Sequence, residues 1–165
     1  MIILGIDPGL ALLGYGVIEV LPGDKRRMLT YGTISTKAGT PFPDRLRAIY
    51  QGVNQLMDIY RPDDVAFEEL FFSKNVTTGI QVGGARGVAL VAVSQRTENL
   101  FEYTPMQIKQ AVTGYGGADK RQMQNMVKLL LRLDEIPQPD DAADALGVAL
   151  THANSLSMKQ QFRIK

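Results

Sequence analysis

The chain has 165 residues, 45% of them apolar and 21% charged, values of an ordinary globular protein with enough length to bury a core. No apolar run approaches the roughly 20 residues that span a bilayer, and the opening residues lack the basic start and cleavage site of a signal peptide. The absence of cysteine removes disulfide frameworks, thiolate metal sites and cysteine nucleophiles together, and a cytoplasmic location is expected.

Residues 2–6 read as a continuous apolar strand closed by the turn signal Asp7-Pro8-Gly9. Residues 14–20 predict a second strand, broken by Pro22-Gly23-Asp24, and residues 29–34 a third; such short connections imply antiparallel hairpins. From Asp44 onward, Leu46, Ile49, Val53, Leu56 and Tyr60 recur at helical spacing until Arg61-Pro62. Residues 64–70 then read as a buried strand that carries carboxylates.

A helix over 77–95 is rich in small residues, with Gly79, Gly83, Gly84 and Gly87 each costing about 1 kcal/mol of helix propensity relative to Ala. Close helix–helix approach, within the chain or between chains, is what offsets such a cost. Next come a strand over 100–104, a helix over 105–112 and a Gly-rich loop, 114–117, that lacks the Gly-Lys-Ser/Thr of a phosphate loop. A helix over 119–133 buries Met123, Met126, Val127, Leu130 and Leu131, and a last helix runs from about Asp141 to Ser155. No repeat or linker divides the chain, so one domain spans residues 1–165. The element order predicts an α/β fold, a mixed five-stranded sheet with three antiparallel N-terminal strands and helices on both faces.

The acids sit at informative places. Asp7 closes the first apolar strand, Glu68 interrupts a later one, and Asp141 and Asp144 stand three apart on one face of the last helix. Hard divalent cations take a few convergent carboxylates plus water, and two ions can activate water and stabilise a leaving oxygen in phosphodiester hydrolysis. Each acid also admits a structural role: Asp7 as a turn aspartate, Glu68 in an ion pair, Asp141 as a helix N-cap competing with Asp140, Asp144 as a partner of the helix dipole. The net charge of +1 is modest for a nucleic-acid binder. Loading four acids with two divalent cations would add about four positive charges, and residues 158–165 hold three basic groups and no acid. His152, the only histidine, reads as packed or superficial, since it lies ~12 Å along the helix from Asp144.

Residues 3–9 followed by 14–17 resemble the first strand and hairpin of RuvC-type Holliday-junction resolvases. Residues 67–75 resemble that family's second acidic strand and the loop after it, 84–88 its next helix, and 141–146 its C-terminal Asp-x-x-Asp helix. The matches run in order from Ile2 to about His152. The chain departs from the family at Leu10-Ala11-Leu12-Leu13, where hydroxyl residues are frequent, and it has Asp141 where some relatives have His. The doubled Glu68-Glu69 leaves a choice, and the motif match selects Glu68, strand alternation sending the two side chains to opposite faces.

The resemblance implies an RNase H-like fold and a homodimer that cuts four-way DNA junctions by paired symmetric nicks, leaving 5′-phosphate and 3′-hydroxyl ends. It implies two Mg²⁺ per subunit, with Mn²⁺ able to substitute, held by a catalytic, metal-binding set of Asp7, Glu68, Asp141 and Asp144. It places an aromatic wedge on Phe71, with Phe72 as competitor, and functional basic groups on Lys109 and Lys120; Lys74, Arg86 and Lys128 are lesser candidates for phosphate contact. It implies cooperation with the RuvA and RuvB branch-migration proteins, and a dimer interface on the small-residue helix. The alternatives are an RNase H-like nuclease acting on RNA or RNA–DNA hybrid, and a non-catalytic junction-binding scaffold, whose mark would be a missing carboxylate. A sugar-kinase or actin-type ATPase would need two such domains.

Overall fold

A computed structural model describes residues 1–70 and 76–165. Strands β1 (Ile2–Asp7), β2 (Leu12–Leu21) and β3 (Lys25–Ser35) form an antiparallel meander, followed by α1 (Phe42–Tyr60) and β4 (Asp64–Glu68). Then come α2 (Val76–Ser94), β5 (Leu100–Tyr103), α3 (Pro105–Thr113), α4 (Lys120–Leu130), α5 (Asp140–Asn154) and a 3₁₀ segment over Leu156–Phe162. The sheet order is β3-β2-β1-β4-β5, with β4 parallel to both β1 and β5. This mixed five-stranded sheet is the one expected, and it is the architecture of the RNase H-like fold.

Strand alternation divides the core in two. Leu4, Ile6, Val17, Val65 and Phe67 face α1 and α2, packing on Ile49, Val53, Ala85 and Ala89. Ile3, Ile18, Ala66, Phe101 and Tyr103 face α3, α4 and α5, packing on Ile108, Val127, Leu146 and Leu150. Helices therefore cover both faces, as predicted. In α5 every residue from Ala145 to Ala153 is buried.

The approach of α5 to the sheet depends on glycine. A Cβ on Gly5 would lie 2.2 Å from the Ala145 carbonyl, one on Gly14 2.0 Å from the Asp141 carbonyl, and one on Gly16 2.8 Å from the Leu146 side chain. Because Gly5 pairs with Gly16 and Asp7 with Gly14, the three glycines make one trough across β1 and β2. The helix lies in that trough and its first turn ends beside Asp7.

Several boundaries differ from the expectation. The third strand begins at Lys25 rather than Leu29, since pairing with β2 continues past an irregularity at Val17/Ile18 into polar residues that carry no apolar signal. The fourth strand stops at Glu68 rather than reaching residue 70. Asp119 caps α4 instead of opening it, in a capping box with Gln122. That helix ends at Leu130, and Arg132 turns the chain with φ 53°. Residue Pro139 occupies the N-cap of α5, so neither Asp140 nor Asp141 is the cap.

Candidate active site

The parallel pairing of β1 and β4 sets Ile6 against Phe67, which leaves Asp7 and Glu68 side by side at the C-terminal ends of adjacent strands. Both share strand parity with the residues that face α5. In that helix Asp141 lies in the first turn and Asp144 one turn on, over the same sheet edge. All four predicted carboxylates thus belong to one place, brought there by three elements far apart in sequence.

Their electrostatics report how close they are. Burial pushes Asp7 up from 3.8 to about 8, with the charges of Glu68, Asp144 and Asp141 adding to the rise. Burial, then Asp144, raises Glu68 to about 7, against opposing pulls from Lys109, Asp7 and Lys120. Asp144 is also raised by burial, with Lys120 acting in the other direction. Like charges and lost water, the two causes that disfavour ionised acids, act together here.

Both predicted lysines face this cluster. A cleft of about 250 Å³ is lined by Glu68, Asp144, Lys109 and Lys120, with Ile108 and Met123 as its apolar floor. The Lys120 ammonium sits 3.0 Å from Asp140 and 3.5 Å from Asp144. Asp140, considered above only as a cap, instead accepts hydrogen bonds from Lys120 and Gln124, which hold its carboxyl below the usual range. The predicted wedge, Phe71, lies outside the described residues, as do Phe72 and Lys74. Arg86 pairs with Glu102 and is thereby occupied.

Among the described residues, no group of three or more acids or histidines is gathered tightly enough to hold an ion as it stands. The donor set nevertheless suits a hard divalent cation: oxygen ligands only, on fixed elements, anionic and short of positive charge. A cation bound among them would supply the positive charge the set lacks.

Two features escaped the sequence reading. A buried chain of polar groups runs from the Tyr103 hydroxyl to His152 Nδ1 at 2.9 Å, from His152 Nε2 to Asp64 at 2.8 Å, and from Lys159 to the same Asp64 oxygen at 2.6 Å. His152 is accordingly a packed histidine, and two of the three basic groups of the C-terminal stretch are engaged, Lys159 with Asp64 and Arg163 with Glu98. On the other side of the carboxylates, Arg45 Nε donates to Thr36 Oγ1, and Thr36 Oγ1 donates to the Leu10 carbonyl, tying α1 to the loop after Asp7. Neither network is announced by periodicity or motif.

Residues 3–152 match the family model described as crossover junction endodeoxyribonuclease RuvC. The chain is 56% identical over 153 residues to the crossover junction endodeoxyribonuclease RuvC of Brevibacillus brevis (strain 47), covering 93% of this chain and 92% of that one. It is 52% identical to that of Alkaliphilus oremlandii (strain OhILAs) over the full length of both. Among solved structures, T. thermophilus RuvC in complex with Holliday junction substrate superposes with a TM-score of 0.90 at 39% identity, over 96% of each chain. The yeast mitochondrial Holliday junction resolvase Ydc2 shares the fold, with a TM-score of 0.71 at 15% identity over 98% of this chain and 81% of that one. With acids, lysines, sheet order and relatives in agreement, the chain belongs to the RuvC family of crossover junction endodeoxyribonucleases.

Proposed function

We propose that this chain is a single-domain Holliday-junction resolvase of recombination and repair, with Asp7, Glu68, Asp141 and Asp144 as its catalytic, metal-holding set. The observation that carries the assignment of residues is the convergence of four acids from β1, β4 and α5 at one sheet edge, where burial and neighbouring acids raise Asp7 to about 8, and burial and Asp144 raise Glu68 to about 7.

Divalent cations, two Mg²⁺ in our reading with Mn²⁺ as substitute, would supply activation of water and stabilisation of the leaving 3′-oxygen when bound. The chain's own groups do the rest. Asp7 and Glu68, fixed at the ends of paired strands, define one wall of the site, and Asp141 and Asp144, fixed on α5, define the facing wall. Lys109 and Lys120 border the cleft between them and attract the phosphodiester. Lys120, more than half exposed, bridges Asp140 and Asp144 at the edge of the cleft.

Paired nicks on a two-fold symmetric junction need two sites, and an isologous dimer provides them. We place the dimer contact on the face shared by α1 and α2. There an apolar groove of about 590 Å³ is lined by Leu46, Tyr50, Gly84, Gly87, Val88 and Val91, with Ile80 and Val91 largely exposed. Family membership supports extending this reading to cooperation with RuvA and RuvB and to work in the cytoplasm. Among the described residues no helix is long and apolar enough to cross a membrane.

The test is cleavage of a strand-labelled synthetic four-way junction with Mg²⁺ or chelator, mapping each cut. Symmetric metal-dependent nicks near the crossover, abolished in Asp7→Asn and Glu68→Gln, are expected. Tight junction binding without cutting in Mg²⁺ or Mn²⁺, across many junction sequences, would identify a scaffold instead, and scattered cuts in RNA would identify a nuclease of another substrate class.

A further inference from the structure

We propose that Arg45 grips a backbone phosphate of the scissile DNA strand on the side of the carboxylates opposite Lys109 and Lys120. The proposal rests on the resolvase reading above and adds a residue to it.

Two clefts flank the acidic cluster. The first holds Glu68, Asp144 and the two lysines. The second, about 380 Å³, lies against Asp141 and is walled by Leu10, Ala11, Leu12, Gln81 and Arg45. A strand whose scissile phosphate sits at the acids must send its neighbouring phosphates toward both clefts. Each of those phosphates approaches an anionic cluster and gains from a cation beside it. In the first cleft two ammonium groups fill that need, and Arg45 is the only Lys or Arg among the described residues lining the second.

Arg45 is built for the task in three respects. Its Nε donates to Thr36 Oγ1 at 2.8 Å, and Thr36 is itself buried and doubly tied to the loop, donating from Oγ1 to the Leu10 carbonyl and from its backbone N–H to the Ala11 carbonyl. The guanidinium plane is therefore fixed before any ligand arrives. One N–H is spent in doing so, and the four on the terminal nitrogens form the planar fork that suits phosphate oxygens. Among the described residues no carboxylate pairs with it, whereas Arg27, Arg47 and Arg86 each have one, and Asp44, next to Arg45 in the chain, is taken by Arg47. The walls of the groove strengthen the case. The segment Leu10-Ala11-Leu12 contributes no side-chain donor, so among the described residues Arg45 is the cation a phosphate entering here would meet.

The rival role is a brace: Arg45 holds the loop after Asp7 and touches no DNA. The two roles separate in a binding experiment under non-cleaving conditions, with the full chain and a four-way junction in chelator, titrated from 50 to 200 mM salt. If Arg45 meets a phosphate, Arg45→Gln lowers the slope of log K against log salt by about 0.9, the contribution of one phosphate contact. Arg45→Lys retains most of that slope, and Thr36→Val, which keeps the charge and loses the anchor, retains it too. Neutral methylphosphonates placed one at a time along the scissile strand then locate the contact. One position weakens wild-type binding and has no effect in Arg45→Gln. It lies across the cut from the positions silenced by Lys109→Gln or Lys120→Gln.

An Arg45→Gln protein with the wild-type slope and the wild-type methylphosphonate profile, whatever its cleavage rate, would overturn the proposal and leave the brace. Should that variant not fold, a wild-type profile with sensitive phosphates on the lysine side alone overturns it equally. A wild-type chain that neither binds nor cuts junctions defeats the resolvase reading itself, which keeps the two failures distinct.

Discussion

Replacing Asp7 by Asn should destroy cleavage and at the same time stabilise the metal-free protein. The rise of Asp7 from 3.8 to about 8 means that the folded state disfavours its anion by at most about 5–6 kcal/mol, at 1.36 kcal/mol per unit. Neighbouring acids titrate over the same range and share that cost, and water at the open side of the cleft screens it. About half, ~3 kcal/mol, is the gain expected from one neutral isostere at pH 8.5. The sign follows from proton uptake: a raised acid gives stability that is complete below its unfolded pKa and lost as pH rises through its folded one. Wild type should therefore lose stability between about pH 4 and pH 8 more steeply than Asp7→Asn. Urea unfolding of both proteins in chelator at pH 4 and pH 8.5 measures this. Thermal midpoints should differ by about 6–12 °C at the higher pH, on the order of 2–4 °C per kcal/mol for a domain of this size. Mg²⁺ should then raise the midpoint of wild type, since a ligand of the native state stabilises it, and have little effect on the variant. An Asn variant less stable than wild type at pH 8.5 in chelator, or a difference that does not shrink in acid, would refute the reasoning.

Away from the site, His152→Ala removes a donor to a carboxylate that is 1% exposed, and should cost about 3–5 kcal/mol because Asp64 is left buried with Lys159 alone; urea unfolding showing a loss under 1 kcal/mol would contradict the network. Burial opposes ionisation of Asp64, but hydrogen bonds from His152 and Lys159 hold its carboxyl below the usual range. This contribution is present above the ordinary carboxylate pKa and lost as pH falls through the lowered value, so the gap between His152→Ala and wild type should narrow in acid. Gly14→Ala drives a Cβ to 2.0 Å from the Asp141 carbonyl, a backbone atom that cannot swing away. A displacement of about 1 Å in α5 should cut the cleavage rate on the order of 100-fold while junction binding survives; wild-type rates would show that the trough tolerates a methyl group. At Gly87 an added Cβ meets nothing within 4 Å, so Gly87→Leu should leave the chain folded and abolish the dimer in light scattering, and an intact dimer would move the interface elsewhere.

What could be read from the chain follows from how local the signals are. An acid that ends an apolar strand is visible because its neighbours are Leu4, Ile6, Val65 and Phe67, and two acids at helical spacing are visible because the period is fixed. The hairpins and the mixed character of the sheet were accessible too, since short turns force hairpins and long helical connections permit parallel pairing, but the strand order was not. Lys109 and Lys120 carry no such mark, for each is a polar residue on a helix with many others. Only the family match pointed to them, and only the crossing of α3 and α4 over the strand ends makes them face Glu68 and Asp144. The Arg45–Thr36–Leu10 chain and the Tyr103–His152–Asp64–Lys159 chain join residues 9 to 95 positions apart through side-chain hydrogen bonds, one of them to the Leu10 carbonyl. No spacing rule reaches such contacts. The polar start of β3 was missed for a related reason: Arg26 and Arg27 pair with Asp24 and Glu19 at the sheet edge, where apolar alternation is not required.

Burial combined with the lack of a charge partner sets Asp7 and Glu68 apart from the paired acids elsewhere in the chain. Several acids elsewhere are neutralised locally: Glu19 by Arg27, Asp44 by Arg47, Asp58 by Arg96, Glu102 by Arg86, and buried Asp64 by Lys159 and His152. Among the described residues Asp7 and Glu68 have no cation within salt-bridge distance, although burial disfavours the charge on both. Lys120 reaches Asp144 but divides its charge with Asp140. The N-terminus of α5 gives a partial positive charge to Asp141 in its first turn, an effect that fades before Asp144. A protein that pairs its other buried acid so completely has left this group short by more than one positive charge, at the open end of a sheet. That deficit is local, it costs stability in the unloaded chain, and it has the sign and the hard oxygen donors that a divalent cation satisfies.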